Sequence, residues 1–365
     1  MSIIDRYIIR TFLGGYVILM LVGIGLYVLT DLLVNIDEFT KDDTLPVLQV
    51  LRLVGDYYLC NIPLYYSQLG GPLTAIAAAF ALGMMLRNNE LTALVAAGMP
   101  LQRLAVPIVG CSILLVGAWM ANRELVIPRL AYKISRNHED VIAQRVGGIY
   151  CARDDRNAIL TAISFLPSQN RLEHVYIVEP DPETGHPFSL VKADAATWDP
   201  ATRLWRLERG VRIAMYAPLE TAAFARSGAP RYVDEYPFTL TPEQLALRRN
   251  AQWADLLSIR QLNALLASRN LSNRPAIDMI RHVRLTQPLL QWILLLLTIP
   301  FFLVREPVNV MGAGGRALLL AGAFYLVAFI AHSVVKDEAN AALIAWIPIL
   351  VFGPLSVLQL ANVKT

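Results

Sequence analysis

An α-helical membrane protein of six transmembrane helices, set three and three around an inserted exterior domain, is the fold class that this sequence predicts. Two observations predict it. Six stretches carry no Asp, Glu, Lys or Arg: Thr11 to Thr30, Tyr57 to Leu86, Leu104 to Asn122, Leu285 to Val304, Ala317 to Val335 and Ala339 to Val363. A hydrocarbon core of about 30 Å takes roughly 20 apolar residues at about 1.5 Å each, and every run meets or nearly meets that length. Between the third and fourth runs, Arg123 to Arg284 is ordinary in polarity. With 55% hydrophobic and 17% charged residues, a purely soluble chain is excluded. Residues 1–122 thus hold spans one to three, 123–284 the exterior domain with flanking helices, and 285–365 spans four to six.

Each element follows from local pattern. Arg6 and Arg10 precede the first run as in a signal peptide, but the run is longer than a signal core and ends in Leu29-Thr30-Asp31 without a small-residue cleavage pattern, so a retained span is expected. Arg6, Arg10, Arg87, Arg103, Arg305, Arg316 and Lys364 fall in the short loops on the membrane side that holds the N-terminus, against Lys41, Arg52 and Lys336 in the opposite ones. This bias places both termini in the cytoplasm and the large domain outside. Asp31 to Asp56 reads as an acidic exterior connection with a short amphipathic helix, Leu45 to Tyr58, before span two. Gly70-Gly71-Pro72 permits a kink and close helix packing in that span.

The exterior domain opens with a helix, Arg123 to Arg145, continuing span three. Beyond it, short runs between turn residues predict antiparallel strands: Gly148 to Ala152, Ala158 to Phe165, Leu172 to Glu179, Phe188 to Ala193, Arg203 to Leu207 and Val211 to Tyr216. Asp199-Pro200 between Trp198 and Trp205 marks a hairpin. A last strand, Tyr232 to Leu240, and a helix, Ser258 to Ser268, with Ser258 and Gln261 at capping-box spacing, lead back to the membrane. Arg123, Arg281 and Arg284, at the outer ends of spans three and four, are candidate lipid-phosphate contacts; interfacial snorkelling explains them equally.

The loop between spans two and three bears most directly on mechanism. Asn88 or Asn89 can cap a helix there, Glu90 suits its first turn, and Gly98 with Pro100 closes it. On this helix, residues 88–98, Glu90, Ala93, Leu94 and Ala97 share a face. Two readings stay open on the residues alone: a lever seated in a partner's groove, or a tight turn that stays wet.

The stretch Asn89 to Arg103 resembles the "SELxALxAAGxSxxRL" loop of the LptF and LptG permeases, with Asn89 in place of the usual small polar residue and Pro100 in place of serine. Arg6-Tyr7-Ile8-Ile9-Arg10 is similar to that family's "RYxxR" opening. His282-Val283-Arg284 with Pro288 resembles its "HRRxAxPL" entry to span four, and Leu297-Thr298-Ile299-Pro300 its "LLGIPL". The loop Arg305 to Arg316 departs from the pattern by carrying Glu306. The resemblance implies a periplasmic β-jellyroll and a coupling helix whose Glu90, Leu91, Ala93, Leu94 and Ala97 meet an LptB-like ATPase dimer. It also implies a homologous permease subunit, an LptC/LptA-like periplasmic bridge and lipopolysaccharide as cargo.

Several function classes lack their residues. The chain has no GxxxxGK[ST] loop for ATP, so energy is expected from a partner ATPase. Its uncharged spans argue against ion coupling, and neither GxSxG nor HExxH occurs. Three cysteines and five histidines show neither a disulfide framework nor metal spacing. No catalysis, cofactor, metal or nucleic-acid partner is expected. The rival readings are a permease for another envelope lipid or lipoprotein, and a non-transport anchor or sensor.

Overall fold

The computed structural model describes residues 2–37, 46–135, 148–166, 169–180, 187–214, 230–249, 253–267, 274–304, 309–333 and 341–363. The membrane half begins with α1 (Ile3–Val34), closed at its start by a capping box in which Asp5 N–H donates to Ser2 Oγ and Ser2 N–H to Asp5 Oδ2. There follow α2 (Val47–Arg87), the short α3 (Glu90–Ala96), α4 (Leu101–Ala121) and, after a π-turn at Asn122–Val126, α5 (Ile127–Ile134). Six of the described helices are long and apolar enough to cross a membrane, three on each side of the sheet.

Two expectations change here. The separate amphipathic helix before span two is instead the start of α2, which runs 41 residues without interruption. Val47 to Ile62 contains one glycine and no proline, so nothing stops the helix before the membrane; Leu45 lies outside the described residues. The helix continuing span three is not uniform. Pro128 has no N–H to donate to the Glu124 carbonyl, and the ladder slips so that Ile127 N–H reaches Asn122. Residues 136–145 of that expected helix lie outside the described residues.

The Gly70-Gly71 pair is where α2 is gripped from both flanks. A Cβ on Gly70 would lie 2.8 Å from Trp119 Cδ1 of α4, and one on Gly71 2.9 Å from Gln291 Cγ. Trp119 Nε1 donates to the Ser67 carbonyl at 2.8 Å, and Asn122 Nδ2 to the Pro63 carbonyl at 2.8 Å, pinning the proline-containing stretch. Burial is uneven: the most apolar window of α2 is 61% buried and that of α1 only 6%.

The inserted domain is an open, jellyroll-like antiparallel sheet of eight strands among the described residues. In chain order these are β1 (Ile149–Arg153), β2 (Ile159–Leu166), β3 (Arg171–Pro180), β4 (Pro187–Asp199), β5 (Leu204–Glu208), β6 (Val211–Ala214), β7 (Arg231–Tyr232) and β8 (Glu235–Tyr236). The main path runs β1-β2-β3-β4-β5-β8. Long β4 forks it, pairing through Ser189 to Lys192 with β6 and through Ala195 to Asp199 with β5. At the predicted hairpin Trp198 opposes Trp205, ring centroids 5.4 Å apart, and Ala201 N–H donates to Asp199 Oδ1. Alternation along β5 turns Trp205 and Leu207 to one face, and they share a core with Leu160, Phe165, Val175, Ile177 and Phe238.

The expected strand Tyr232 to Leu240 is two short pieces instead. Val233 N–H turns to the Gly210 carbonyl and the Asp234 carbonyl accepts from Leu207 N–H, so the segment crosses between β6 and β5 rather than extending one strand. Val211 to Tyr216 is strand as far as Ala214, with 215–216 outside the described residues. Then come α6 (Pro242–Arg249), a 3-10 turn at Trp253–Leu256, α7 (Ile259–Ala267), α8 (Arg274–Thr298), a second 3-10 turn at Ile299–Phe301, α9 (Val310–Ser333) and α10 (Ala341–Ala361). The Ser258/Gln261 capping box forms, with Ser258 N–H donating to Gln261 Oε1 at 2.8 Å. Cys60, in α2, and Cys151, on β1, are free thiols.

Candidate functional site

Two clusters stand out, one at each end of the bundle. At the end away from the sheet, α3 is bracketed by two left-handed residues, Asn89 (φ 59°) and Gly98 (φ 82°). The second is a glycine closure as expected, with Gly98 N–H on the Val95 carbonyl and Met99 N–H on the Leu94 carbonyl. The expected asparagine cap is different: Asn89 holds the N-cap position without a side-chain cap bond. Its left-handed backbone, tolerated by asparagine, reverses the chain there, while Asn88 Nδ2 donates to Glu90 Oε1 at 3.2 Å.

Glu90 has a second donor that no local pattern indicates. Tyr7 Oη, on α1, donates to Glu90 Oε1 at 3.1 Å. Leu91 is buried at 1% exposure in the central bundle core, beside Ile8, Leu86 and Leu104. Leu94 and Val95 pack against the same core. Ala93, Ala96 and Ala97 face outward with Thr92. The expected face is therefore divided: Ala93 and Ala97 are exposed, Glu90 is half-buried, and Leu94 turns inward with Leu91.

At the sheet end, Arg123 in the π-turn is bonded to α8 and Arg284 on α8 is bonded to the π-turn, while Arg281 lies apart. Arg284, 3% exposed, donates from Nη1 to Glu124 Oε1 at 3.2 Å and from Nη2 to the Asp255 carbonyl. The other oxygen of Glu124 accepts the Ile259 N–H at 2.8 Å, in the first turn of α7. One ion pair thus joins the π-turn after span three, the start of span four and the helix leaving the sheet domain. Arg123 donates to Gln287 Oε1 and stacks on Trp119 with its guanidinium 5.3 Å from the ring centroid. Arg281 pairs with Asp278 at 2.6 Å, one turn back on α8. No motif marks Glu124 in the sequence, where it shows as an acid beside Arg123 at a span edge.

The base of the sheet carries a third group of charges. Asp154 Oδ1 accepts the N–H groups of Arg156 and Ala158 at 2.9 and 2.8 Å, while Oδ2 has no partner. Burial pushes this carboxyl above the usual carboxylate range despite those bonds. Arg248 stacks on Trp253 and donates to the Arg153 carbonyl, and burial lowers its guanidinium from the usual value. Among the described residues no three His, Cys, Asp or Glu side chains gather as a metal site.

Six membrane-length helices with a jellyroll-like sheet between the third and fourth, and a two-turn helix at the opposite end, define a multi-pass membrane protein with an inserted sheet domain. The family model described as lipopolysaccharide export system permease LptF/LptG matches residues 6–362, and the chain belongs to that family. It is a transporter permease of the inner membrane, and its family works with partner proteins. No curated protein matches the sequence.

Proposed function

We propose that this chain is one permease subunit of an ATP-driven transporter that extracts lipopolysaccharide from the outer leaflet of the inner membrane and passes it to an LptC/LptA-like periplasmic bridge. ATP is hydrolysed by a partner, an LptB-like dimer on the cytoplasmic side, where the positive-inside bias puts α3 and both termini. The observation that carries the reading is the Tyr7–Glu90 hydrogen bond, which ties the exposed helix α3 directly to α1. Movement of a seated α3 would pull on the first span through this bond and on the core that Leu91 shares with α1, α2 and α4.

The least buried spans support a cavity wall. The apolar windows of α1 and α9 are 6% and 22% buried, and Ile18, Leu21, Leu318 and Leu319 stand exposed on them. In this account the first and fifth spans face a homologous subunit across a lipid cavity. Ala93 and Ala97 let the ATPase approach closely, Glu90 gives the contact a charge, and Leu91 with Leu94 anchors α3 to the bundle. A lipid-phosphate role for Arg123, Arg281 and Arg284 requires each to exchange the partner it holds here. Acyl chains would leave through the jellyroll interior, whose apolar core must open because its own side chains fill it.

A photoreactive residue at Val175, Ile177 or Val191, all on the inward face of the sheet, tests the cargo in cells. Crosslinks to lipopolysaccharide that require a functional ATPase are expected. Crosslinks to a lipoprotein or another lipid alone would replace the cargo assigned here.

A further inference from the structure

The spans are almost wholly apolar, yet one crevice between α2, α8 and α9 gathers Ser67, Gln68, Gln287, Gln291 and Tyr325 around a volume of about 290 Å³. Gln291 and Ser67 are the most confined of them, each 7% exposed, and Gln291 Oε1 has no hydrogen-bond partner. Its amide lies across Gly71, where a Cβ would come within 2.9 Å of Cγ and 3.3 Å of Nε2. The glycine therefore makes room for this side chain. A carbonyl oxygen buried in a bundle and left without a donor is costly, because hydrocarbon offers nothing in place of water.

The crevice is placed to receive a donor from the side. Gln68 and Tyr325 are exposed at its rim. Gln287 and Gln291 follow Arg284 along α8 by one and two turns, near the sheet-domain end of the spans. At about 30 Å³ per water, the volume equals roughly ten waters, room for one ring or polyol and little else. Aliphatic Pro72, Val283, Leu290 and Ala328 share the lining with the amides, hydroxyls and aromatic rings, and no charged side chain joins them among the described residues. The nearby cation, Arg123, is already held by Gln287 and Trp119. Amides that both donate and accept, beside aromatic rings, suit uncharged hydroxyl groups rather than a phosphate.

We propose that this crevice binds the hydroxyl-bearing part of a lipid headgroup, a sugar or polyol, entering sideways from the membrane, with Gln291 Oε1 accepting one of its hydroxyls. A bulk polyol lipid and the sugars of a transported glycolipid supply the same chemistry, so the site does not depend on the cargo assigned above.

The test uses the full chain with its partner subunits in phosphatidylethanolamine nanodiscs doped with phosphatidylglycerol or with phosphatidylmethanol, which has the same charge and no hydroxyl. Native mass spectrometry counts the lipids retained. The wild type is expected to keep phosphatidylglycerol about three- to tenfold over phosphatidylmethanol, as one or two hydrogen bonds would give. Gln291→Leu should abolish that preference. Gln68→Leu, at the exposed rim, should reduce it without touching the packed interior. Added lipopolysaccharide separates the sources: displacement of phosphatidylglycerol assigns the site to cargo sugars, and persistence assigns it to bulk lipid. Equal retention of the two lipids by the wild type, as a merely water-filled crevice would give, overturns the proposal. A preference that survives both substitutions overturns it too.

Discussion

At the end of the bundle that carries the sheet domain, the π-turn after α4 is joined to α8 by a buried arginine whose carboxylate partner also holds the first turn of α7. At the other end, α3 is fixed by one fully buried leucine and by hydrogen bonds to Glu90 that stay in contact with solvent. The first arrangement resists change, because separating its members strands a charge out of water. The second is easily shifted, since an exposed hydrogen bond is replaced by water at little net cost. The proposed drive by a partner ATPase would use this asymmetry: an adjustable contact where force arrives and a fixed joint where it must be passed on.

The strongest challenge to the fixed joint is Arg284→Met, which leaves the half-buried Glu124 without the arginine it is bonded to. A loss of about 3–5 kcal/mol is expected, read by thermal unfolding of the purified complex. The double variant Glu124→Gln with Arg284→Met should recover most of it. If the single variant unfolds like the wild type, the two ends do not differ in the way described.

A smaller effect lies within the sheet domain, at Asp154. Its raised carboxyl pKa means that the folded domain binds this proton more tightly than the unfolded chain, so its contribution to stability falls as pH rises from the ordinary carboxylate range through the raised value. Asp154→Asn should flatten that pH dependence while still accepting the Arg156 and Ala158 N–H groups through its amide oxygen. An unchanged slope between about pH 4 and 7 would remove Asp154 as its source.

The smallest stability effect belongs to the adjustable end. Tyr7→Phe deletes the donor to Glu90 and keeps the ring, for about 0.5–1 kcal/mol at most. Its consequence should appear in coupling instead, as ATP hydrolysis that releases less lipid per turnover. A large loss of stability with normal coupling would reverse the assignment of the two ends.

What the sequence makes legible is what repeats locally. The spans show through the absence of charge, β2 as a short apolar run, β5 through its alternation, and the tryptophan hairpin through Asp199-Pro200. Gly98 announces the end of α3 because few other residues accept its backbone angle. Contacts between distant positions leave no such trace. Tyr7 meets Glu90 across 83 residues and Arg284 meets Glu124 across 160, so neither partner follows from spacing. The π-turn had a local sign in Pro128, but its slip also depends on what Glu124 and Asn122 bind. The inward turn of Leu91 and Leu94 likewise depends on a core that α1, α2 and α4 complete only when packed.

Charge reversal at Glu90 tests most directly whether force enters through α3. Proteoliposomes carrying this chain, its partner permease and the ATPase are compared with the same assembly bearing Glu90→Lys, measuring ATPase association and ATP-dependent release of lipopolysaccharide. The account predicts weakened association and loss of release, with the chain still inserted and folded. Association and release that both match the wild type would contradict it.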